Sequence, residues 1–345
     1  MSQIKIPVRN LYYLLLYSWG HFKSGVARDV GADESPDLPN LLAKVLNDGV
    51  HRLLRRGLDR GYIDTTEETR SPRGKLRLDL MTKQQTLLRG FAVCDVDELT
   101  FNVLHNQILL ASLKNMVACN GVKLSLRKEL QATLRRISGV SQIRLTADLF
   151  HRVQLSRNTA QYGFLMRVCE LLFHSLLPDD KGTGSRFHSI LEDEIRMPAL
   201  FEDFLRNFYR SELHGFTAGG EKMLWIATAK NEADLAFLPV MYTDITLRTK
   251  DQTIVVDAKY YKNALSGGRD KEKVISKDLY QLSTYLAHVR VREPEQEISG
   301  MLIYPVMDKN IRLNYQLLGI PVKIATVDLS AEWPDIHTEL LSLVE

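Results

Sequence analysis

Cysteine is scarce in this sequence, with three residues among 345. They are Cys94, Cys119 and Cys169, which are scattered along the chain and odd in number. Such an arrangement gives neither a disulfide framework nor a C-x-x-C metal knuckle. We therefore predict that the protein works in a reducing compartment, the cytoplasm.

Long hydrophobic runs are also missing. The longest, Leu11 to Tyr17, is far too short to cross a bilayer, and the opening residues MSQIKIPVRN lack the charged-then-apolar pattern of a secretory signal. Charge is nearly balanced, with 45 Lys and Arg against 42 Asp and Glu and a net charge of +3. The sequence thus predicts no membrane partner, and a surface for nucleic acid would have to be a local basic region.

The G-x-x-x-x-G-K-[ST] nucleotide motif does not occur. Gly182-Thr-Gly184 is followed by Ser-Arg-Phe, which cannot form the backbone cradle that holds nucleotide phosphates. Any nucleotide hydrolysis associated with this protein must therefore be carried out by another chain.

What the sequence does contain is a hairpin pattern. Two runs rich in Ile, Val and Thr, Thr243 to Arg248 and Thr253 to Lys259, flank the polar break Thr249 to Gln252. Alternating β-branched residues on either side of a polar break are typical of two antiparallel strands and their turn.

The predicted hairpin brings two carboxylates together. A turn centred between Lys250 and Asp251 pairs Asp244 with Asp257, with β-carbons about 5 Å apart. Lys259 shares the face of Asp257 because side chains alternate along a strand. Carboxylates this close repel each other unless one is protonated or a cation lies between them. Two acidic groups beside a lysine suit Mg²⁺ with a phosphate.

The alternative interpretation is a solvated strand face with alternating charges, which accounts for most D-x-K triplets. The hydrophobic run Ile254 to Val256 favours the metal site, because a carboxylate that ends a buried strand is costly unless it is paired or metal-bound.

These residues resemble the PD-(D/E)xK nuclease superfamily, in its branch with a Q-x-x-x-Y helix. The resemblance rests on Thr243-Asp-Ile245, on the strand ending in Asp257-Ala-Lys259 and on a helix with Gln281 and Tyr285. Thr243 stands where the superfamily name has proline, a position that is loose within the superfamily. More narrowly, segments spread nearly end to end resemble the McrC family, the nuclease subunits of modified-cytosine-dependent McrBC restriction systems: Ile6 to Gly20, LPVMYTDI, DAKYYK, Asp278-Leu-Tyr-Gln and Leu302-Ile-Tyr-Pro305.

The resemblance implies a restriction-endonuclease-like fold and phosphodiester hydrolysis in DNA. Asp244, Asp257 and the carbonyl of Ala258 would hold Mg²⁺, while Lys259 would position the attacking water. The implied partner is an AAA+ ring of the McrB type that hydrolyses GTP, and the implied substrate is double-stranded DNA carrying modified cytosine. The N-terminal domain would dock on that ring and stimulate its hydrolysis of GTP.

Three further residues are candidates for supporting this site. Gln281 and Tyr285 lie one helical turn apart, so both side chains can point at the same spot on a sheet. In the resembling nucleases the corresponding pair flanks the active site. Glu202 has two interpretations: it approaches the metal, as an early acidic helix does in the superfamily, or it forms a surface pair with Arg206.

Arg70, Arg73, Lys75 and Arg77 form a basic edge that could touch DNA or a partner subunit, or simply guard a sheet edge against pairing. Two other basic regions are candidates for contacts with phosphates. A predicted loop carries Lys262, Arg269, Lys271 and Lys273 and could clamp DNA near the metal site. The end of a predicted helix from Pro39 to about Arg56 carries His51, Arg52, Arg55 and Arg56. Cations are favoured at a helix C-terminus by the dipole, so this second region is predicted to be a solvated face, with a partner or phosphate contact as the alternative.

The polar, glycine-rich stretch Pro178 to Ser185 is the clearest break in the chain. It predicts a mixed α+β N-terminal domain over residues 1–180, which would dock the partner, and an endonuclease domain over residues 181–345. The second half reads as helix, three strands, helix, two strands, so we predict an α/β fold there.

Three local predictions are specific enough to test. Asn10 is predicted to cap a helix that ends at Gly20. Lys75 to Leu80 alternates like a strand, and Met223 to Thr228 is a second strand candidate.

Two other functions fit the sequence. The chain could be a non-cleaving structural activator of the partner ring, although a silent site need not retain Asp244, Asp257 and Lys259. It could also be a stand-alone repair nuclease that acts on branched or single-stranded ends.

Overall fold

The computed structural model describes residues 6–22, 37–178, 185–187, 193, 195–260, 265–266, 273–306 and 309–344. The helices in these residues are α1 Val8–Ser18, α2 Leu38–Arg56, α3 Leu78–Gln84, α4 Leu104–Ala118, α5 Leu124–Arg136, α6 Ala147–His151, α7 Gln161–Ser175, α8 Arg196–Glu212, α9 Ser276–Arg292 and α10 Trp333–Ser342. None of them combines the length and hydrophobicity that crossing a bilayer demands.

The longer strands all belong to the small N-terminal sheet or to the central sheet. The strands in the described residues are β1 Gly61–Thr69, β2 Lys75–Leu76, β3 Ala92–Thr100, β4 Leu176–Pro178, β5 Ser185–Phe187, β6 Thr217–Gly219, β7 Lys222–Met223, β8 Met241–Tyr242, β9 Ile245–Arg248, β10 Gln252–Ala258, β11 Leu265–Ser266, β12 Lys273–Val274, β13 Glu297–Pro305, β14 Arg312–Leu317 and β15 Ile320–Val327. The mixture of helices and sheets confirms the predicted α/β class.

The chain divides into two compact units. One comprises Met1–Pro36 with Ser189–Glu345, and the other is Asp37–His188. The predicted N-terminal domain of residues 1–180 differs from the second unit because the first helix belongs to the other one. Helix α1 is apolar almost all round and packs against α8, which the pattern of α1 alone could not reveal.

In the unit Asp37–His188, helices α2, α4, α5 and α7 pack together beside an antiparallel sheet ordered β1-β3-β2. Helix α2 begins where the sequence predicts a helix: Asp37 accepts a 3.0 Å hydrogen bond from the Asn40 N–H, and Pro39 lies in the first turn. It ends at Gly57, whose φ of +89° suits glycine.

The predicted strand Lys75 to Leu80 is wrong beyond its first two residues. Only Lys75 and Leu76 pair with β3, and a helix starts at Leu78. The helical turn buries Met81 in a small core with residues of β3. Burial of that side chain outweighs the alternating pattern on which the prediction rested.

In the other unit a mixed sheet has the order β14-β15-β13-β10-β9-β6. Strands β10, β13 and β15 are parallel neighbours, and the outer pairs are antiparallel. Helix α9 connects β10 to β13 and packs on both. A β-carbon on Gly300 would lie 2.7 Å from Leu286, so glycine lets α9 approach β13 closely. Helix α8 packs against β6, β9 and β10.

Two other local predictions need correction in this unit. Asn10 is not a cap: the helix begins at Val8 after Pro7, and the buried Asn10 amide donates to the carbonyls of Leu329 and Ala331 at 2.9 and 2.7 Å. The predicted strand Met223 to Thr228 ends at Met223 because its partner β8 is only two residues long.

Candidate active site

The two predicted acids lie at one end of the β9–β10 hairpin. The observed register pairs Thr253 with Arg248 and Val256 with Ile245, which is the register predicted from the symmetric turn. Asp244 is the residue just before β9, and its Oδ2 accepts a 2.9 Å hydrogen bond from the backbone N–H of Ala258. This bond ties the first acid to the strand end that carries Asp257.

Lys259 completes the cluster. Its Nζ lies 2.7 Å from Oδ2 of Asp257 and 3.7 Å from Oδ2 of Asp244. The Lys259 backbone N–H donates to the Ile303 carbonyl at 2.9 Å, which extends the parallel pairing of β10 with β13 by one residue. The backbone of this residue is therefore held by the sheet, and its ammonium group faces both carboxylates.

Asp257 is the most deeply buried of the three side chains, with no exposed surface. Burial raises the pKa of its carboxyl to about 7; the charge of Asp244 adds to the rise, and the Lys259 ammonium opposes it. Oδ2 of Asp257 is paired with the Lys259 ammonium, and Oδ1 has no hydrogen-bond donor among the described residues. Buried carboxylate oxygens without a donor are rare because their desolvation is uncompensated.

This donor set fits a hard divalent cation. Mg²⁺ keeps several waters and is commonly bound by one or two carboxylates together with substrate phosphates. Asp257 offers one buried oxygen without a donor among the described residues and a second paired with Lys259, and Asp244 offers one oxygen besides that bonded to Ala258. In the described part of the chain, no group of three or more His, Cys, Asp or Glu side chains is arranged to hold a metal. The fit is therefore to a two-carboxylate site with water and phosphate, not to an all-protein cage.

Thr243 explains how the first acid is held without the proline of the superfamily name. Its backbone N–H donates to the Glu221 carbonyl at 3.0 Å, a bond that proline could not make. Its hydroxyl accepts from the Glu221 N–H at 2.9 Å and lies 2.9 Å from the hydroxyl of Thr246. Threonine thus fixes the backbone immediately before Asp244.

Glu202 lies close enough to Asp244 to interact with its charge, and it pairs with Arg206. Burial raises the pKa of Glu202, and the charge of Asp244 contributes to that rise. Arg206 binds Glu202 and also donates from Nε to the backbone carbonyl of Asp244 at 2.8 Å. The predicted pair with Arg206 is present, and through it Glu202 supports the position of Asp244.

Gln281 and Tyr285 occupy the same region, as the one-turn spacing predicts. The Gln281 amide donates to the Tyr285 hydroxyl at 2.9 Å, and that hydroxyl donates to the Tyr242 carbonyl at 2.8 Å. Tyr242 is two residues before Asp244. Burial raises the pKa of Tyr285, and the charges of Asp257 and Asp244 contribute. Helix α9 is thereby connected to the backbone that leads into the first acid.

Asp278, which begins one of the segments that carry the family resemblance but was not predicted as a site residue, is a neighbour of this site. It is fully buried in the first turn of α9 and accepts a 2.8 Å hydrogen bond from the Tyr304 hydroxyl. Its charge contributes to the raised pKa of Asp257. An acidic residue in the first turn of a helix is ordinary, so the sequence carried no signal that this one is buried.

The predicted DNA-contacting loop is only partly within the described residues. Lys262, Arg269 and Lys271 lie outside them. Lys273 is exposed at the start of β12, which pairs with β11. The role of all four residues stays a prediction.

Comparison with known proteins covers nearly the whole chain. The family described as McrBC 5-methylcytosine restriction system component matches residues 8–305. The chain is 33% identical to the type IV methyl-directed restriction enzyme EcoKMcrBC of Escherichia coli (strain K12), over 100% of this chain and 99% of that protein.

A solved structure shares the fold. It is the refined half-complex from a tetradecameric assembly of Thermococcus gammatolerans McrB AAA+ hexamers with bound McrC. The match has a TM-score of 0.58 and 17% identity, and it covers 98% of this chain and 76% of that chain. The full-length sequence identity and the extent of the family match show that the chain belongs to the McrBC 5-methylcytosine restriction system component family.

Proposed function

We propose that this chain is the Mg²⁺-dependent DNA endonuclease subunit of a methylcytosine-specific, GTP-dependent restriction complex. The observation that carries the proposal is the cluster of Asp244, Asp257 and Lys259, in which a fully buried carboxylate faces a second acid and one ammonium group. Lys259 is paired with Oδ2 of Asp257, and Oδ1 has no hydrogen-bond donor among the described residues, which leaves it available to a cation.

Each residue has a role that its position supports. Asp244 and Asp257, with the carbonyl of Ala258, would hold Mg²⁺. When bound, Mg²⁺ would lower the pKa of a coordinated water and neutralise phosphate charge. Lys259 would hold that water in place and stabilise the negative charge that develops on the phosphate. Gln281, Tyr285 and Glu202 would keep the Asp244 segment in position through their hydrogen bonds.

The mixed sheet around these residues supports a restriction-endonuclease-like domain. Strand β10 of the β9–β10 hairpin lies at its centre beside the parallel strand β13, and α9 connects these two strands. The acids lie where β9 begins and β10 ends, an edge at which sheet proteins commonly place reactive groups. We assign the nuclease to the unit containing Ser189–Glu345 and partner docking to the unit Asp37–His188.

The partners follow from family membership. The relative from E. coli is a methyl-directed restriction enzyme, and the Thermococcus assembly contains McrB AAA+ hexamers with bound McrC. We therefore propose that this chain binds an McrB-type AAA+ ring, stimulates its GTP hydrolysis, and cuts double-stranded DNA that carries modified cytosine. Because this chain lacks a nucleotide-phosphate motif of its own, the sequence supports assigning GTP hydrolysis to the partner and DNA cleavage to this chain.

Reconstitution tests the proposal. This chain is mixed with the McrB-type GTPase from the same genome, GTP, Mg²⁺, and methylated or unmethylated duplex DNA. We expect double-strand breaks only in methylated DNA and only with both proteins. GTP turnover is measured in parallel with the Asp257→Asn variant, which we expect to retain stimulation while losing cleavage.

Other outcomes identify the competing functions. Stimulated GTP turnover with no cleavage under any condition would make the chain a structural activator. Cleavage of unmethylated or branched DNA by this chain alone would make it a stand-alone repair nuclease. Each result contradicts the proposed function in a different way.

A further inference from the structure

The C-terminal ends of α2 and α5 meet and present arginines. Their last two turns, residues 50–56 and 130–136, contain five arginines and no Asp or Glu. Four of these side chains are exposed, and we refer to them together as the arginine surface: Arg55, Arg56, Arg135 and Arg136. The nuclease proposal makes no use of them.

A chain of hydrogen bonds, buried at Asn47 and Thr133 and exposed at Arg136, joins the two helix ends. The hydroxyl of Thr133 on α5 lies 2.6 Å from Oδ1 of Asn47 and 2.9 Å from Nε2 of His51 on α2. Nη1 of Arg136 lies 2.9 Å from Nδ1 of the same imidazole. Because a guanidinium can only donate, Nδ1 of His51 is the acceptor of this hydrogen bond.

This chain of bonds positions Arg136 before any ligand arrives. The guanidinium is held through His51 to side chains that are almost completely buried, Asn47 and Thr133. Arg56 is also oriented, because its Nη1 donates to the Gln161 amide oxygen of α7 at 2.8 Å. Fixed guanidinium groups lose less side-chain entropy on binding than free ones.

Among the described residues, no carboxylate pairs with the four arginines of the arginine surface. Other arginines of the same unit are neutralised: Arg73 by Glu67, Arg77 by Asp79 and Asp95, Arg89 by Glu68, and Arg167 by Glu170. The helix dipoles favour cations at both ends. They do not explain why two such ends are packed together, since this brings like charges near one another.

We propose that the arginine surface binds the phosphate backbone of duplex DNA. Arginine forks match phosphate oxygens, and such contacts hold a protein on DNA without reading its sequence. An acidic protein surface is disfavoured because protein interfaces have an apolar core. The exposed large hydrophobic side chains of this unit lie elsewhere, on the β1–β3 sheet, α3 and the adjoining turn, and at Leu124, the opposite end of α5.

The test compares two sets of neutralised arginines in the full-length chain. In the first, Arg55, Arg56, Arg135 and Arg136 are all changed to Gln. In the matched control, the ion-paired Arg73, Arg77, Arg89 and Arg167 are changed to Gln, which removes the same charge. Binding to a fluorescent 30-base-pair duplex is measured by anisotropy in EDTA over a series of salt concentrations.

We expect the first set to weaken binding and to reduce the slope of log K against log salt by roughly 0.9 for each phosphate that is no longer neutralised. The control set should keep the wild-type slope. An unchanged slope and affinity in the first set would overturn the proposal, as would a wild-type chain that does not bind the duplex. If the first set binds DNA normally but no longer stimulates GTP hydrolysis, the surface binds an acidic protein partner instead.

Folding is checked by thermal unfolding of each variant. Should the quadruple change unfold the chain, the double variant Arg55→Gln with Arg135→Gln replaces it, since the structure gives those two side chains no hydrogen bond to any described residue. Binding in EDTA does not require cleavage, so failure of this proposal and failure of the nuclease proposal give different results.

Discussion

Nζ of Lys259, the residue that directly follows strand β10, lies 2.7 Å from Oδ2 of Asp257, the last residue but one of that strand. Because side chains alternate, residues two apart on β10 share a face and can meet in this way. The ammonium stabilises a carboxylate that burial alone would keep protonated at neutral pH. The pair therefore keeps a buried acid partly ionised and ready for a cation.

Removing the ammonium tests the role of Lys259. Lys259→Met should lower DNA cleavage by the reconstituted complex about 10²-fold or more, because the charge that develops on the phosphate loses its stabiliser. Single-turnover cleavage at saturating Mg²⁺ measures the effect. Lys250→Met, in the exposed turn of the same hairpin, is the control and should cleave at the wild-type rate. Equal loss in both variants would contradict a catalytic role.

The buried acid should make stability depend on pH. Because the pKa of Asp257 is raised from 3.8 to about 7 in the folded state, folding favours the protonated form. The protonated carboxyl of Asp257 therefore contributes to the stability of the folded state, fully below pH 4, and this contribution is lost as the pH rises through 7. Asp257→Asn, measured by urea unfolding in EDTA, should therefore be more stable than wild type at pH 8 by on the order of 3 kcal/mol. The difference should shrink toward zero at pH 4, and a difference independent of pH would contradict the buried ionisation.

The sequence predicted the hairpin and its register because short-range physics decides both. The alternating Ile, Val and Thr residues fix the strand faces, and the polar turn fixes which residue of one strand faces which of the other. Asp244, Asp257 and Lys259 could therefore be placed together, and the spacing of Gln281 and Tyr285 put them on one face of a helix.

Long-range contacts could not be predicted in the same way. Asn10 looked like a helix cap, but it bonds carbonyls of Leu329 and Ala331 more than 300 residues away. Burial of Asp278 depends on Tyr304 from another strand. Neither contact can be inferred from the local sequence. The strands after β13 could likewise be predicted only in part, because β14 is mostly exposed and has no clear hydrophobic pattern.

The hydrogen bond from Tyr285 to the Tyr242 carbonyl should matter for activity. Tyr285→Phe removes it and leaves the Gln281 amide without its acceptor, at a cost of about 1 kcal/mol in stability. The segment leading into Asp244 then loses its connection to α9, and we expect cleavage to fall about tenfold. Tyr280→Phe on the same helix, where the side chain is 72% exposed, is the control. Full activity of Tyr285→Phe would show that the bond has no positioning role.

Variants of Glu202 and Arg206 test whether Glu202 is a metal ligand or acts only through Arg206. We expect Glu202→Gln to cleave within about threefold of wild type, because the amide still accepts a hydrogen bond from Arg206. Arg206→Gln should be worse, since the Asp244 carbonyl loses its 2.8 Å donor. The Mg²⁺ concentration needed for half-maximal cleavage is measured for both. A tenfold rise in that concentration for Glu202→Gln alone would make Glu202 a ligand.

The most direct measurement compares cleavage of methylated DNA by the full complex containing Asp257→Ala with that of the complex containing Asp251→Ala. Asp251 is exposed in the turn of the same hairpin, so the two changes remove equal charge from one local structure. We expect no detectable breaks with Asp257→Ala, wild-type breaks with Asp251→Ala, and stimulated GTP turnover with both. Cleavage by Asp257→Ala at the wild-type rate would contradict the assignment of this hairpin as the nuclease site.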